Sequence, residues 1–360
     1  MLPVGLRAGK ICGWLIITLL VGISLAACTG DLPQEVSVDP GVDTDVVKVS
    51  QPAGKLTIYS GRSESLVDPI IQQFSGATGI EVAVKYANTA QLAATLLEEG
   101  DNTPADVFFA QDPGGLGAVE PMLAELPEEI LSTVPAWARS PVGKWVGISG
   151  RARTVVYNTE KLTESDLPDD MFGFTDPKWK GRIGWAPTNA SFQTMVTAMR
   201  FLWGDDKTTQ WLKGIQANDP KVYPKNTPQV AATAAGEIDV GFVNHYYLFR
   251  FLAEQGEGFT ARNYHPRAGG PGAVVMVAGA GILATSPNKQ VAERFLQFML
   301  SQVGQQYFAT QTFEYPVVQG VKTPKVLVAL SEINQPTIPS KNLTDLQGTQ
   351  DLLRQAGITP

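Results

Sequence analysis

Short β-branched runs alternate with helical ones along most of this chain, and that alternation limits its fold more than any other feature. "KLTIYSG" reads as a strand ending in a turn. The "SESLVDPIIQQFSGATG" after it sets Leu66, Ile70, Ile71 and Phe74 at helical spacing, with Gly79 as a stop. "IEVAVKYA" is strand again, "TAQLAATLLEEGD" is a helix opened by Thr89 and stopped by Gly100, and "ADVFFAQDPGG" is a buried strand entering a Gly-rich turn. Further on, "RARTVVYNT", "GRIGWA" and "IDVGFV" read as strands, and "SFQTMVTAMRFLWG" and "TPQVAATAAGE" as helices. "GAVVMVAGAGILA" is a strand pair or one long bent strand, and "NKQVAERFLQFMLSQVGQQYFA" a helical stretch weakened at Gly304. The alternation predicts an α/β fold with mostly parallel sheets between helices. About 300 residues from Leu56 onward suffice for two lobes.

The N-terminus has a different character. Arg7 and Lys10 precede an apolar run from Ile11, and the small residues Ala26 and Ala27 precede Cys28. This is the anatomy of an export signal, its apolar part shorter than the roughly 20 residues of a spanning helix. The "LAAC" ending resembles a bacterial lipoprotein signal, cut before a cysteine that then carries lipid. Cys12 lies inside the signal, so Cys28 would be the one cysteine of the exported chain and no internal disulfide could form. The acidic, Pro- and Gly-rich residues that follow read as a disordered tether.

The formal charge of the whole chain is −7, and removing Arg7 and Lys10 brings it near −9. No run rich in Lys and Arg is present, which argues against nucleic acid as a partner. Enzymatic function is poorly supported. The chain has two histidines, His245 and His265, and lacks G-x-S-x-G, a Walker loop, and G-x-G-x-x-G after a strand. Zinc is disfavoured for want of Cys and His, so metal chemistry would have to use oxygen ligands.

Ligands of open α/β sheets sit beyond the carboxyl ends of strands. The turns there read "SGRSE", "AQDPGG", "TNAS" and "NHYY". In the last, Tyr246 and Tyr247 stand where a strand gives way to a helix. Phenolate suits a hard cation such as ferric ion, and the positive end of a helix dipole favours it. Tyr157, in "RTVVYNTEKL", offers a third phenol. His245, beside the pair, is expected to point outward.

From "LTIYSGRSESLVDPIIQQF" through "RTVVYNTEKL", "WKGRIGWAPTNASFQTMVTA" and "NHYYLFR" to "AERFLQFMLSQVGQQYFA", the chain resembles the bacterial ferric-iron-binding proteins, substrate-binding subunits of iron ABC importers. The resemblance implies a non-enzymatic, two-lobed periplasmic-binding-protein fold of the type II, bacterial-transferrin-like kind, closing on Fe3+. It implies Tyr157, Tyr246 and Tyr247 as metal ligands. The positions where many members carry His and some carry Glu hold Ser63 and Gln111 here. In their place Arg62 could hold a synergistic carbonate bidentately, helped by Asn189, Ser191 and the N–H groups opening a helix. Asn244, Gln111 and Asn226 would form an outer layer, and Arg151 or Arg153 could supplement Arg62. The alternative is the same fold gripping a small organic or inorganic anion through Arg62, with the tyrosines stacked rather than ligating.

The expected organisation is a signal over 1–27, a tether over 28–54, and one lobe from 55–145 with 262–300. The second lobe takes 146–261 with 301–322, and 323–360 form an extension. The expected protein is a monomer outside the cytoplasm, lipid-anchored through Cys28 and delivering Fe3+ to a membrane permease.

Overall fold

β-branched and apolar residues in short runs build the centre of the molecule. The structure is a computed structural model that describes residues 54–360. In the first series, β1 (Lys55–Ser60), α1 (Glu64–Thr78), β2 (Glu81–Tyr86), α2 (Thr89–Glu99), β3 (Val107–Ala110), α3 (Pro113–Val119) and the short α4 (Glu128–Leu131) follow one another. The long strand β4 (Val146–Asn158) then leads to β5 (Ile183–Trp185), α5 (Ala190–Trp203), α6 (Asp205–Ala217), β6 (Lys221–Val222), α7 (Asn226–Ala234), β7 (Val240–Asn244) and α8 (Tyr246–Gln255). Last come β8 (Ala261–Tyr264), β9 (Val275–Ile282), α9 (Lys289–Leu300), α10 (Gln302–Thr310) and α11 (Leu346–Gln355).

The strands run in the order β2-β1-β3-β9-β4-β7-β5-β6, with β8 also on β4. The outer pairs β1–β2, β1–β3, β5–β7 and β5–β6 are parallel, as crossover helices require. The middle pairs, β3–β9, β9–β4 and β4–β7, are antiparallel. So each lobe has a parallel edge, and β4 and β9 run through the junction. "GAVVMVAGAGILA" is accordingly one buried strand.

Helix ends follow their chemistry. Gly79 closes α1 at φ 70, Asp112 caps α3 through the Gly115 N–H, and Asn189 caps α5 through the Ser191 N–H. The long helical stretch near 300 breaks at Ser301, which caps α10 through the Gly304 N–H, rather than at Gly304 itself.

α10 packs beside α9, and Phe308 and Val317 join the same core as β1, α1 and α9. Within residues 301–322, α10 thus lies on α9 of the first expected lobe, while Tyr315 clusters with Ala152 and Phe249 of the second. The extension also has a definite seat. Leu352, Leu353 and Ala356 enter the core of the second lobe, the Thr349 and Thr197 hydroxyls bond at 2.7 Å, and Leu346 lies against Gly114 of α3. The signal over 1–27, Cys28 and the tether up to residue 53 lie outside the described residues. Among the described residues, no helix is long and apolar enough to cross a membrane.

Candidate metal and anion site

β7 ends at Asn244 and α8 begins at Tyr246, so one residue, His245, makes the turn. Tyr246 and Tyr247 thus sit at the positive end of a helix dipole. Their rings stack, with centroids 4.3 Å apart and planes 29° from parallel. Both side chains are buried. Burial pushes the Tyr246 phenol well above its ordinary pKa, and a charged Tyr247 would push it further, against the pull of Arg62 and Arg151. Without a cation Tyr246 therefore stays protonated, and a trivalent metal is the kind of ligand that could displace its proton.

Three guanidiniums lie buried around this pair. Arg62 leaves β1 at a turn where only glycine fits before it, since a Cβ on Gly61 would meet Thr89 Oγ1 at 2.1 Å. Its Nη2 bonds Glu314 Oε1 at 2.5 Å. Burial works against the charge on Arg62, but Glu314 and the tyrosines outweigh it and raise its pKa. Arg151 and Arg153 project from one face of β4, two residues apart. Arg153 Nη1 donates to Asn244 Oδ1 at 2.9 Å, and burial beside Arg151 pushes its pKa down to about 9. Arg62 Nε and Nη1, Arg151 Nε, and Arg153 Nε and Nη2 are buried without partners.

The hydroxyl of Ser191, in the first turn of α5, faces Gln111 Nε2 at 2.9 Å, Asn244 Nδ2 at 3.1 Å and Arg151 Nη1 at 3.2 Å. A hydroxyl oxygen has two lone pairs and cannot accept from all three. Donors are therefore in excess here and acceptors scarce, a condition an anion relieves. A cleft of about 840 Å³ opens onto this region, lined by Arg62, Gln111, Asn189 and Tyr247 among others. Among the described residues, no group of three or more His, Cys, Asp or Glu side chains could hold a metal.

The structure thus draws together Tyr246, Tyr247, Arg62, Ser191, Asn189, Asn244, Gln111 and Asn226, the last donating to Asn189 Oδ1 at 3.4 Å. Tyr157 is not brought there. On β4 it pairs with Val240, at the start of β7, while Arg153 pairs with Asn244 at the site. Four residues of strand put about 13 Å between the two positions. Tyr157 packs instead in the core of the second lobe. Because β4 and β7 pair directly in one sheet, that separation is fixed by their register. Sequence reasoning missed Glu314. It lies in a loop with no periodicity, and no local signal marks it.

His245 also differs from expectation. It points inward, its Nδ1 accepting from the Ala152 N–H at 3.1 Å and its Nε2 facing the Phe313 carbonyl at 2.9 Å. Both ring nitrogens are committed to backbone, so the imidazole pins the tyrosine turn to β4. Burial lowers its pKa to about 3 and that of His265 to about 4. In this range the unfolded chain binds protons that the folded one refuses. Stability is thus full above about pH 6.5 and falls as pH drops toward 3. From pH 7 to pH 4, His245 alone should remove on the order of 3 kcal/mol from the ligand-free protein. Thermal melts across that range should show the loss, and His245→Gln should remove the His245 share while leaving that of His265.

The family described as bacterial extracellular solute-binding protein matches residues 69–334. The chain belongs to that family. The major ferric iron-binding protein of Neisseria meningitidis serogroup B is 34% identical over 315 residues, 84% of this chain and 93% of that one. The iron-bound HitA structure from Pseudomonas aeruginosa superposes with a TM-score of 0.81 at 32% identity, over 84% of this solute-binding protein and 99% of HitA. A Trichodesmium protein (IdiA, FutA) in complex with iron and citrate ligands superposes at 0.73 with 29% identity, over 85% and 100% of the two chains.

Proposed function

We propose that this solute-binding protein is a non-enzymatic, extracytoplasmic receptor for ferric ion that delivers it to an ABC importer. Fe3+ would be held by the phenolates of Tyr246 and Tyr247, with an anion, carbonate in the simplest case, on Arg62, Arg151, Arg153, Ser191 and the α5 N-terminus that Asn189 caps. The observation that carries this reading is the stacked tyrosine pair at a helix N-terminus, set against buried guanidiniums with unpartnered nitrogens. Two phenolates leave ferric ion one charge short of neutrality. The guanidiniums add more positive charge than Glu314 removes, and a dianion cancels most of the excess. The relatives named as ferric-iron-binding proteins support the cation. Upstream, cleavage before Cys28 and lipidation of that residue would tether the domain to the membrane beside its permease.

The second reading, an anion receptor without iron, draws on the same donor excess and on the stacking of the two rings. One titration separates them. The protein is stripped with a chelator and given ferric ion with and without bicarbonate while the visible spectrum is recorded. Tyrosinate-to-iron charge transfer should colour the sample orange to purple, fully only with bicarbonate. A colourless sample under both conditions would eliminate the ferric reading and leave the anion receptor.

A further inference from the structure

The turn Thr312–Tyr315 touches both halves of the site. Phe313 stands at φ 57, a left-handed conformation that few residues other than glycine adopt. This places its carbonyl on His245, beside the tyrosine pair, while the next residue sends a carboxylate to Arg62. Tyr315 bridges to Gly150 of β4 and stacks on His245 with centroids 4.6 Å apart. The backbone is thus bent against its preference to hold Glu314 where it is.

Glu314 is fully buried. One of its oxygens takes Arg62 Nη2 at 2.5 Å. The other accepts from Ser149 Oγ at 2.8 Å and Thr312 Oγ1 at 3.3 Å. So held, it grips Arg62 by one terminal nitrogen and leaves Nε and Nη1 unpartnered. It also puts a carboxylate beside a pocket that otherwise gathers donors. These two effects oppose each other. The grip fixes the guanidinium for an incoming anion, and the charge repels that anion.

We propose that Glu314 is a positioning residue that sets the anion affinity of the cleft, orienting Arg62 while cancelling part of its charge. The proposal rests on the ferric-plus-anion reading above. By this arrangement the cleft takes its anion weakly enough to give it up, and a cleft whose Arg62 charge was not offset by a neighbouring carboxylate would hold it far longer.

Two substitutions separate the effects without opening a large cavity. Glu314→Gln keeps length and an acceptor for Arg62 but drops the charge. Glu314→Asp keeps the charge but is one methylene too short for the grip. Each variant and the wild type, melted first to verify folding, receive ferric ion, and bicarbonate is titrated against the charge-transfer colour. The Gln variant should reach half-colour at a bicarbonate concentration about tenfold lower than wild type, since removing a like charge near a buried anion is worth at least that much. The Asp variant should need several-fold more bicarbonate than wild type. Shifts of both variants in the same direction, or no shift with Gln, would overturn the proposal and reduce Glu314 to a structural ion pair. A wild type that never colours would instead sink the ferric reading, and this proposal with it.

Discussion

Tyr246→Phe and Tyr247→Phe should each lower ferric affinity by at least about a hundredfold and bleach the charge-transfer colour, while Tyr157→Phe leaves both unchanged. The lower bound follows from metal sites in which loss of a mere outer partner already lowers affinity 10- to 100-fold. A lost ligand should do no less. The change removes one oxygen and retains the ring, so the 4.3 Å stack and the burial of both residues survive. Melting temperatures of the ligand-free variants should therefore stay near wild type. Tyr157 serves as the control, because strand register holds it about 13 Å along β4 from the site. Iron-competition titrations with a coloured chelator would measure all three. Bleaching in Tyr157→Phe would mean that the sheet register described here is not the one that binds iron.

Arg153→Met should push stability and binding in opposite directions. Arg153 is buried, has two unpartnered nitrogens, and lies beside a second guanidinium. Its pKa near 9 reports the strain. The folded state holds this proton less tightly than the unfolded one, so the penalty is complete below pH 9 and fades only above it. Replacing a buried ion pair by apolar side chains of similar size is often neutral or stabilising by about 1–4 kcal/mol, and a buried cation with no counter-ion has less to lose. The ligand-free variant should accordingly melt at a higher temperature at pH 7. Its bicarbonate requirement for colour should rise at least about tenfold, the low end of the loss expected when a charge-assisted bond to an anion is removed. A variant both less stable and unaltered in its bicarbonate need would show Arg153 to be a structural residue with a partner of its own. An unpaired buried cation that weakens the empty protein is better understood as half of an ion pair whose other half arrives with the ligand.

The class of fold was legible in the chain, and so were most of the turns that the structure gathers around the tyrosine pair. Periods of two and 3.6 marked β1, α1, β2, α2 and β3 in order, because local propensity and burial act on each element separately. The turns after strands marked Arg62, Gln111, Ser191 and the tyrosine pair, because a parallel sheet presents its ligands there. Tyr157 shows where that reasoning ends. The family resemblance made it equivalent to the other tyrosines, and only pairing register, a contact between residues far apart in sequence, put it at the far end of β4 from them. Glu314 shows the converse. It reaches Arg62 across 252 residues, from a loop whose shape depends on the strained Phe313 and on packing against β4. The inward turn of His245 was settled the same way, by two backbone groups from distant segments. Sequence alone determined which elements form and which turns carry polar side chains, since those depend on neighbours along the chain. The tertiary structure decided which of those side chains meet, because register and loop closure are set by the burial of the whole.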